Sequence, residues 1–128
     1  MSDSKNPLSP HLQIYRWQIS SLVSIMHRIS GVINLIALFL IFLWLLFLSF
    51  DQNKYELFLL IINSFFGKFI LIGFTWSMSF HILSGIRHLI LDLGYGLEIK
   101  TANIFGAIVI ISSLITTVVF WTSARGLI

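Results

Sequence analysis

Three stretches of the chain are almost free of charge. Residues 29–50 are 22 positions without a charged side chain, enough to cross ~30 Å of hydrocarbon at ~1.5 Å of helix rise per residue. Residues 69–86 add 18 more, with His81 as their one ionisable group. A helix there continues past Arg87 to Asp92 before Gly94-Tyr95-Gly96 stops it. Residues 104–122 contribute a further 19 uncharged positions. Residues 57–66 are apolar as well, but ten are too few to cross, so they read as an interfacial turn of helix or an extension of the second span. The pattern predicts an all-α integral membrane protein with three transmembrane helices, at about residues 22–50, 67–92 and 103–123 of a membrane domain covering 20–128. Residues 1–19 form a lead-in segment at the membrane surface, where Pro7 and Pro10 oppose a regular helix and Ser20 or Ser21 serves as N-cap.

Composition supports the membrane reading. Of 128 residues, 57% are apolar and 10% charged, against about 25% charged in an ordinary soluble domain, and the mean hydropathy is +0.94. The net charge of +3 is spread singly between apolar stretches instead of being gathered on one face, which argues against a nucleic-acid partner. With no cysteine, the chain holds no disulfide, iron–sulfur ligand, covalent haem attachment or cysteine nucleophile, so histidines and carboxylates must hold any metal. The N-terminus reads as mature, without the character of a transit or signal peptide. Three spans separate the termini. Lys5, Arg16, Arg28, Arg87 and Lys100 fall on one side and Lys54, Lys68 and Arg125 on the other, so five cations against three favour an N-terminus inside.

An ionisable group in a span needs a partner and is a functional candidate by default. On the first helix, Ser24, His27, Arg28 and Gly31 share a face by three- and four-residue spacing. On the second, His81, Gly85, His88 and Asp92 do the same, and both faces lie toward the inner side. Such a pocket suits a haem or an anion: a neutral imidazole is a usual axial ligand, a glycine one turn away leaves room for a macrocycle, and an arginine near the surface pairs with propionates. His81, Gly85 and Arg28 meet those demands. His81 and His88 project from one side of one helix, so a second axial ligand has to come from another chain. Plainer readings stand beside this one. A lone intramembrane His is equally served by an interhelical hydrogen bond. Arg28 and Arg87 at helix ends read as interfacial anchors that snorkel, Ser24 as a hydroxyl bonded to its own helix, and His88 as a boundary or supporting residue. Trp17, Trp44, Trp76, Trp121 and the phenylalanines read as lipid-facing bulk, and His11 as surface.

Two motifs carry a resemblance. Pro7-Leu8-Ser9-Pro10-His11-Leu12-Gln13-Ile14-Tyr15 leads to Ser24-Ile25-Met26-His27-Arg28-Ile29-Ser30-Gly31, and His81-x3-Gly85-Ile86-Arg87-His88-x3-Asp92-x-Gly94 follows later. Together they make the chain resemble the cytochrome b membrane anchors of succinate dehydrogenase, respiratory complex II, over most of its length. Asn6 and Leu91 depart from the family, which often has Arg and an aromatic residue there. The resemblance implies that His81 is an axial ligand of haem b, shared with a His of a smaller anchor subunit whose helices complete the haem-binding bundle. It implies that His27 and Arg28 lie near the propionates, that Ser24 and Arg28 wall a ubiquinone pocket built with the iron–sulfur subunit, and that Asp92 and Glu98 supply protons. A flavoprotein and an iron–sulfur subunit are the implied soluble partners. The implied site is a mitochondrial inner or bacterial cytoplasmic membrane, and the implied role is passage of electrons from succinate oxidation to quinone, with no catalytic activity by this chain alone. A fumarate reductase anchor, or a non-redox assembly subunit whose buried His and Arg merely hold helices together, are the alternatives.

Overall fold

The computed structural model describes residues 17–50 and 52–126, of residues 125 and 126 the backbone only. The lead-in motif with Pro7, Pro10 and His11, and the side chain of Arg125, lie outside the described residues.

Four helices follow one another: α1 (Ile19–Phe50), α2 (Gln52–Asn63), α3 (Phe65–Asp92) and α4 (Ile99–Gly126). Three are long and apolar enough to cross a membrane: Ile19–Phe50, Phe65–Asp92 and Ile99–Ala124. Three crossing-length helices therefore cover the expected spans, each starting two to four residues before the expected bound. No strand occurs among the described residues.

The start of α1 differs from expectation for an identifiable reason. The helix begins at Ile19, with the Gln18 carbonyl accepting from the N–H groups of Ser21 and Leu22, so neither Ser20 nor Ser21 caps it from outside. Asn103 of α4 does that work: its Oδ1 accepts from the Ser20 N–H at 3.1 Å, satisfying one of the donors a helix start leaves open.

Residues 57–66 divide between two helices. Tyr55, Phe58, Leu59 and Ile62 repeat at helical spacing and turn inward on α2, while Gln52, Lys54 and Glu56 stay exposed. Phe58 meets Phe47 of α1 edge to face, with ring centroids 6.1 Å apart. The chain then turns at Ser64, whose Oγ accepts from the Gly67 N–H at 3.1 Å and caps α3. Only glycine fits at 67, because a Cβ there would run into the carbonyls of Ile61 and Ile62. At 12 residues α2 stays well short of the ~20 a crossing needs.

The far end of α3 stops where the sequence predicts. Gly94 N–H bonds to the Leu91 carbonyl and Tyr95 N–H to the Ile90 carbonyl, and Gly94 takes φ +86°, the paired bonds of a Schellman stop.

The three long helices alternate in direction, so the start of α1, the end of α3 and the start of α4 share one end, called proximal here. Val23, Phe80 and Val109, one from each helix, form the buried centre, with Met26, Leu83 and Ile110 around it. Gly106 lets α1 and α4 approach closely, since a Cβ on it would sit 3.0 Å from an Ile19 methyl. Much of the rest of the interior is hydroxyl-bearing: Ser30, Ser77, Ser84, Ser113 and Thr117 are all buried.

Candidate functional site: a histidine pair crossing between two helices

The same five-residue pattern, His-x2-Ser-Gly, stands on α1 as His27-Arg28-Ile29-Ser30-Gly31 and on α3 as His81-Ile82-Leu83-Ser84-Gly85. The helices run antiparallel, so the two copies face each other and exchange partners. Ser30 Oγ donates back to the His27 carbonyl at 2.8 Å, and Ser84 Oγ to the His81 carbonyl at 3.1 Å. Each hydroxyl has a single proton, so its oxygen is left to accept from the opposite histidine: His81 Nδ1 lies 2.9 Å from Ser30 Oγ and His27 Nδ1 lies 2.7 Å from Ser84 Oγ. The rings stack with centroids 4.0 Å apart and planes 8° from parallel. Each glycine makes room for the other helix's ring. A Cβ at Gly31 would lie 3.2 Å from His81 Cε1, and one at Gly85 would lie 3.8 Å from His27 Cε1.

The exchange is not symmetric. His81 Nδ1 is also 3.1 Å from the His27 carbonyl, an acceptor only, so Nδ1 carries the proton and donates. In the neutral ring this leaves the lone pair on Nε2, which has no hydrogen-bond partner among the described residues. That is the tautomer and orientation a histidine needs to bind a metal through Nε2 while its other nitrogen is held by a carbonyl. No group of three or more His, Cys, Asp or Glu able to hold a metal occurs among the described residues. Among the described residues the donor set is thus a single imidazole nitrogen, which fits a haem iron whose remaining protein ligand comes from another chain.

The other candidates fall in different places. His88 stands edge-on to His27, with ring centroids 5.1 Å apart. Gly85 borders His27 and not His81, so the room it leaves serves the histidine pair. Ser24 is half-buried on α1 and Arg28 exposed. Neither has a hydrogen bond or ion pair among the described residues, which separates Ser24 from the many serines here that bond back to their own helix. Asp92 closes α3 and Glu98 precedes α4, its carbonyl accepting from Ala102 N–H at 2.8 Å. Both are exposed on the short proximal turn between the helices.

Arg87 overturns the snorkelling reading. It is 3% exposed, turned into the bundle by its place on the buried stripe Ser77, Phe80, Ser84, Arg87 of α3. Its Nη2 donates to Ser20 Oγ at 2.8 Å and to the Ala102 carbonyl at 3.0 Å, tying together the proximal ends of all three long helices. Two tryptophans also leave the lipid-facing class. Trp76 Nε1 donates to Ser113 Oγ at 3.1 Å and Trp121 Nε1 to Thr75 Oγ1 at 3.3 Å, both between α3 and α4. Sequence reasoning gave no role to Ser30, Ser84 or Asn103. The repeated His-x2-Ser-Gly pattern was the available signal for the first two.

Toward the distal end an apolar groove of about 420 Å³ separates α1 from α3. Ile29, Ile33, Phe69 and Phe74 line it, and Ser30 and Ser77 lie on its wall.

Comparison with known proteins places these residues in a family. Residues 2–120 match the family described as succinate dehydrogenase/fumarate reductase transmembrane subunit. The chain is similar to a succinate dehydrogenase cytochrome b556 subunit of Rickettsia prowazekii (strain Madrid E), 39% identical over 118 residues that cover 92% of each chain. It is likewise similar to the cytochrome b556 subunit of Paracoccus denitrificans, 37% identical over 121 residues covering 90% of this chain and 92% of that one. With the cytochrome b560 subunit of Reclinomonas americana it shares 35% identity over 120 residues, 90% of this chain and 83% of the relative.

Proposed function

The chain belongs to the succinate dehydrogenase/fumarate reductase transmembrane subunit family, and from that premise we propose that it is the anchor of a succinate:ubiquinone oxidoreductase, supplying one axial ligand of haem b and part of the ubiquinone pocket. The observation that carries the proposal is the imidazole of His81, donating from Nδ1 to a carbonyl and to Ser30 and keeping its Nε2 lone pair free. The second ligand comes from a histidine of a smaller anchor subunit, and a flavoprotein with an iron–sulfur subunit docks at the proximal end. That end faces the matrix or cytoplasm, as the five-to-three excess of cations favours. Bound haem supplies a one-electron store beside the pocket.

This chain's own residues bind and orient. Ser24 Oγ, unpartnered among the described residues, donates to a quinone carbonyl oxygen. Arg28, one helical turn and roughly 6 Å further along the axis, sets a positive charge where negative charge develops on that oxygen during reduction. Its guanidinium and His27 would hold the propionates of a bound haem. Two electrons and two protons complete the conversion to quinol, and the exposed carboxylates of Asp92 and Glu98 pass protons from the aqueous side. Succinate is oxidised elsewhere in the complex.

A dithionite-reduced minus oxidised spectrum of the purified complex tests this reading. A b-type α band is expected. Its absence at full occupancy of all subunits would leave His81 and Arg87 as structural residues of a non-redox subunit.

A further inference from the structure

Arg87 holds a charge that the bundle does not neutralise. A guanidinium stays protonated at any physiological pH, and this one is 3% exposed. Its two bonded partners, Ser20 Oγ and the Ala102 carbonyl, are neutral. Its Nε–H is enclosed without any acceptor. No carboxylate lies within ion-pair distance of it among the described residues, and its two partners tie it to α1 and α4. A purely structural tie between these helices has no need of a charge. Burying an unpaired cation is among the more expensive things a fold does.

The position of the charge gives it something to act on. Arg87 lies one turn from Ser84 on the same buried stripe of α3, and Ser84 Oγ is the acceptor for His27 Nδ1. On α1 the contact falls at Ser20, two turns before His27, so the guanidinium sits about 10 Å of helix rise below the stacked histidines. Val23, between Ser20 and His27 on α1, and Ser84, between His81 and Arg87 on α3, are both 0% exposed, and salt screens such an interior little. We infer that Arg87 is a positioning charge: its buried guanidinium raises the midpoint potential of the haem held at His81, by favouring the state that carries one more electron. This rests on the haem reading above. At ~10 Å and an effective dielectric constant of ~20, removing one unit charge should change the reduced-to-oxidised ratio at fixed ambient potential by about tenfold or somewhat more.

The test is a redox titration of the haem in the intact complex, comparing wild type with Arg87→Gln, Arg87→Lys and Ser20→Asp. Arg87→Gln removes the charge. Ser20→Asp keeps the arginine and pairs it with a carboxylate at the place where Ser20 Oγ now accepts, so it cancels the charge while strengthening the tie and answers the question if Arg87→Gln fails to assemble. Both should lower the midpoint, leaving about tenfold less reduced haem at the wild-type midpoint. Arg87→Lys should stay near wild type. A structural role alone orders the variants differently: the glutamine and lysine variants would behave alike, and Ser20→Asp would leave the midpoint untouched. An unchanged midpoint in Ser20→Asp or Arg87→Gln with haem at full occupancy overturns the inference and leaves the haem reading standing. Absence of haem from the wild-type complex overturns both.

Discussion

The proximal and distal halves of the bundle hold the same apolar helices together by different means. In lipid, helices gain little from hydrophobic attraction to one another, so close backbone approach and polar contacts decide where they stick. In the proximal half the polar atoms are used many times over. Two serines each serve two partners, one imidazole nitrogen meets two acceptors, and Arg87 joins three helices. In the distal half, two indole N–H bonds clip α3 to α4, and beyond the bond from Ser77 Oγ to the Ser30 carbonyl at 3.2 Å, α1 is separated from α3 by a groove. The difference teaches where a ligand can be held in a fixed orientation. A histidine in the proximal half has its ring set by four neighbouring groups, whereas the distal half keeps room and makes few demands on side-chain direction.

Glycine substitutions should expose the contrast most strongly. Gly31→Leu drives a side chain into His81, whose Cε1 is 3.2 Å from even a Cβ there. Overpacking of this kind costs about 3 kcal/mol, near a hundredfold in the occupancy of the correct arrangement, so haem content per complex should collapse. Gly73→Leu, on the groove where a Cβ would meet nothing within 4 Å, should leave haem content and thermal midpoint close to wild type. Equal behaviour of the two variants would erase the distinction.

Ser24→Ala tests whether the proximal half also handles substrate. Losing a hydrogen bond to an oxygen that gains charge costs about 1.5–3 kcal/mol, so succinate–quinone reductase activity should fall roughly ten- to hundredfold in kcat/KM. Succinate oxidation with an artificial acceptor at the flavoprotein should stay nearly normal. Full quinone activity with unaltered inhibitor sensitivity would reduce Ser24 to an ordinary helix hydroxyl.

The smallest effects compare polar contacts directly. Ser84→Ala leaves His27 Nδ1 without its 2.7 Å partner, while Trp121→Phe removes the 3.3 Å indole contact in the distal half. Interhelical hydrogen bonds in membranes average about 0.6 kcal/mol. The serine variant should exceed that value because it strands a half-buried nitrogen between two helices, and the tryptophan variant should fall at or below it. Thermal unfolding of the complex in detergent orders them, and a larger loss for Trp121→Phe would reverse the ranking of the halves.

What the sequence revealed and what it hid follow the same division. Hydropathy marks the three spans because each is long enough to cross, and Gly94 marks the end of α3 because a Schellman stop needs a positive φ there. The short helix α2 was legible only as an interfacial turn of helix or an extension of the second span, because ten apolar residues carry no crossing signal, and its start was hidden because its inward stripe of Tyr55, Phe58, Leu59 and Ile62 begins before them. Direction of side chains was the harder matter. Arg87 near a helix end looks the same in sequence whether it snorkels or turns inward. Its membership of the stripe Ser77, Phe80, Ser84, Arg87 becomes visible only once the face toward α1 and α4 is known. Trp76 and Trp121 were hidden likewise, since an indole in an apolar helix suits lipid and protein equally. The histidines were legible as a cluster, but their exchange of serine partners depends on antiparallel pairing in one register.

The most direct measurement is the low-spin ferric haem signal, by low-temperature electron paramagnetic resonance, of complexes carrying His81→Leu and His88→Leu. His81 holds its ring with Nε2 free, and His88 only edges against His27. The expected result is loss or a large displacement of the low-spin signal in His81→Leu, with the His88→Leu signal close to wild type at equal haem content. An unchanged signal and midpoint potential in His81→Leu would contradict the assignment of His81 as the axial ligand.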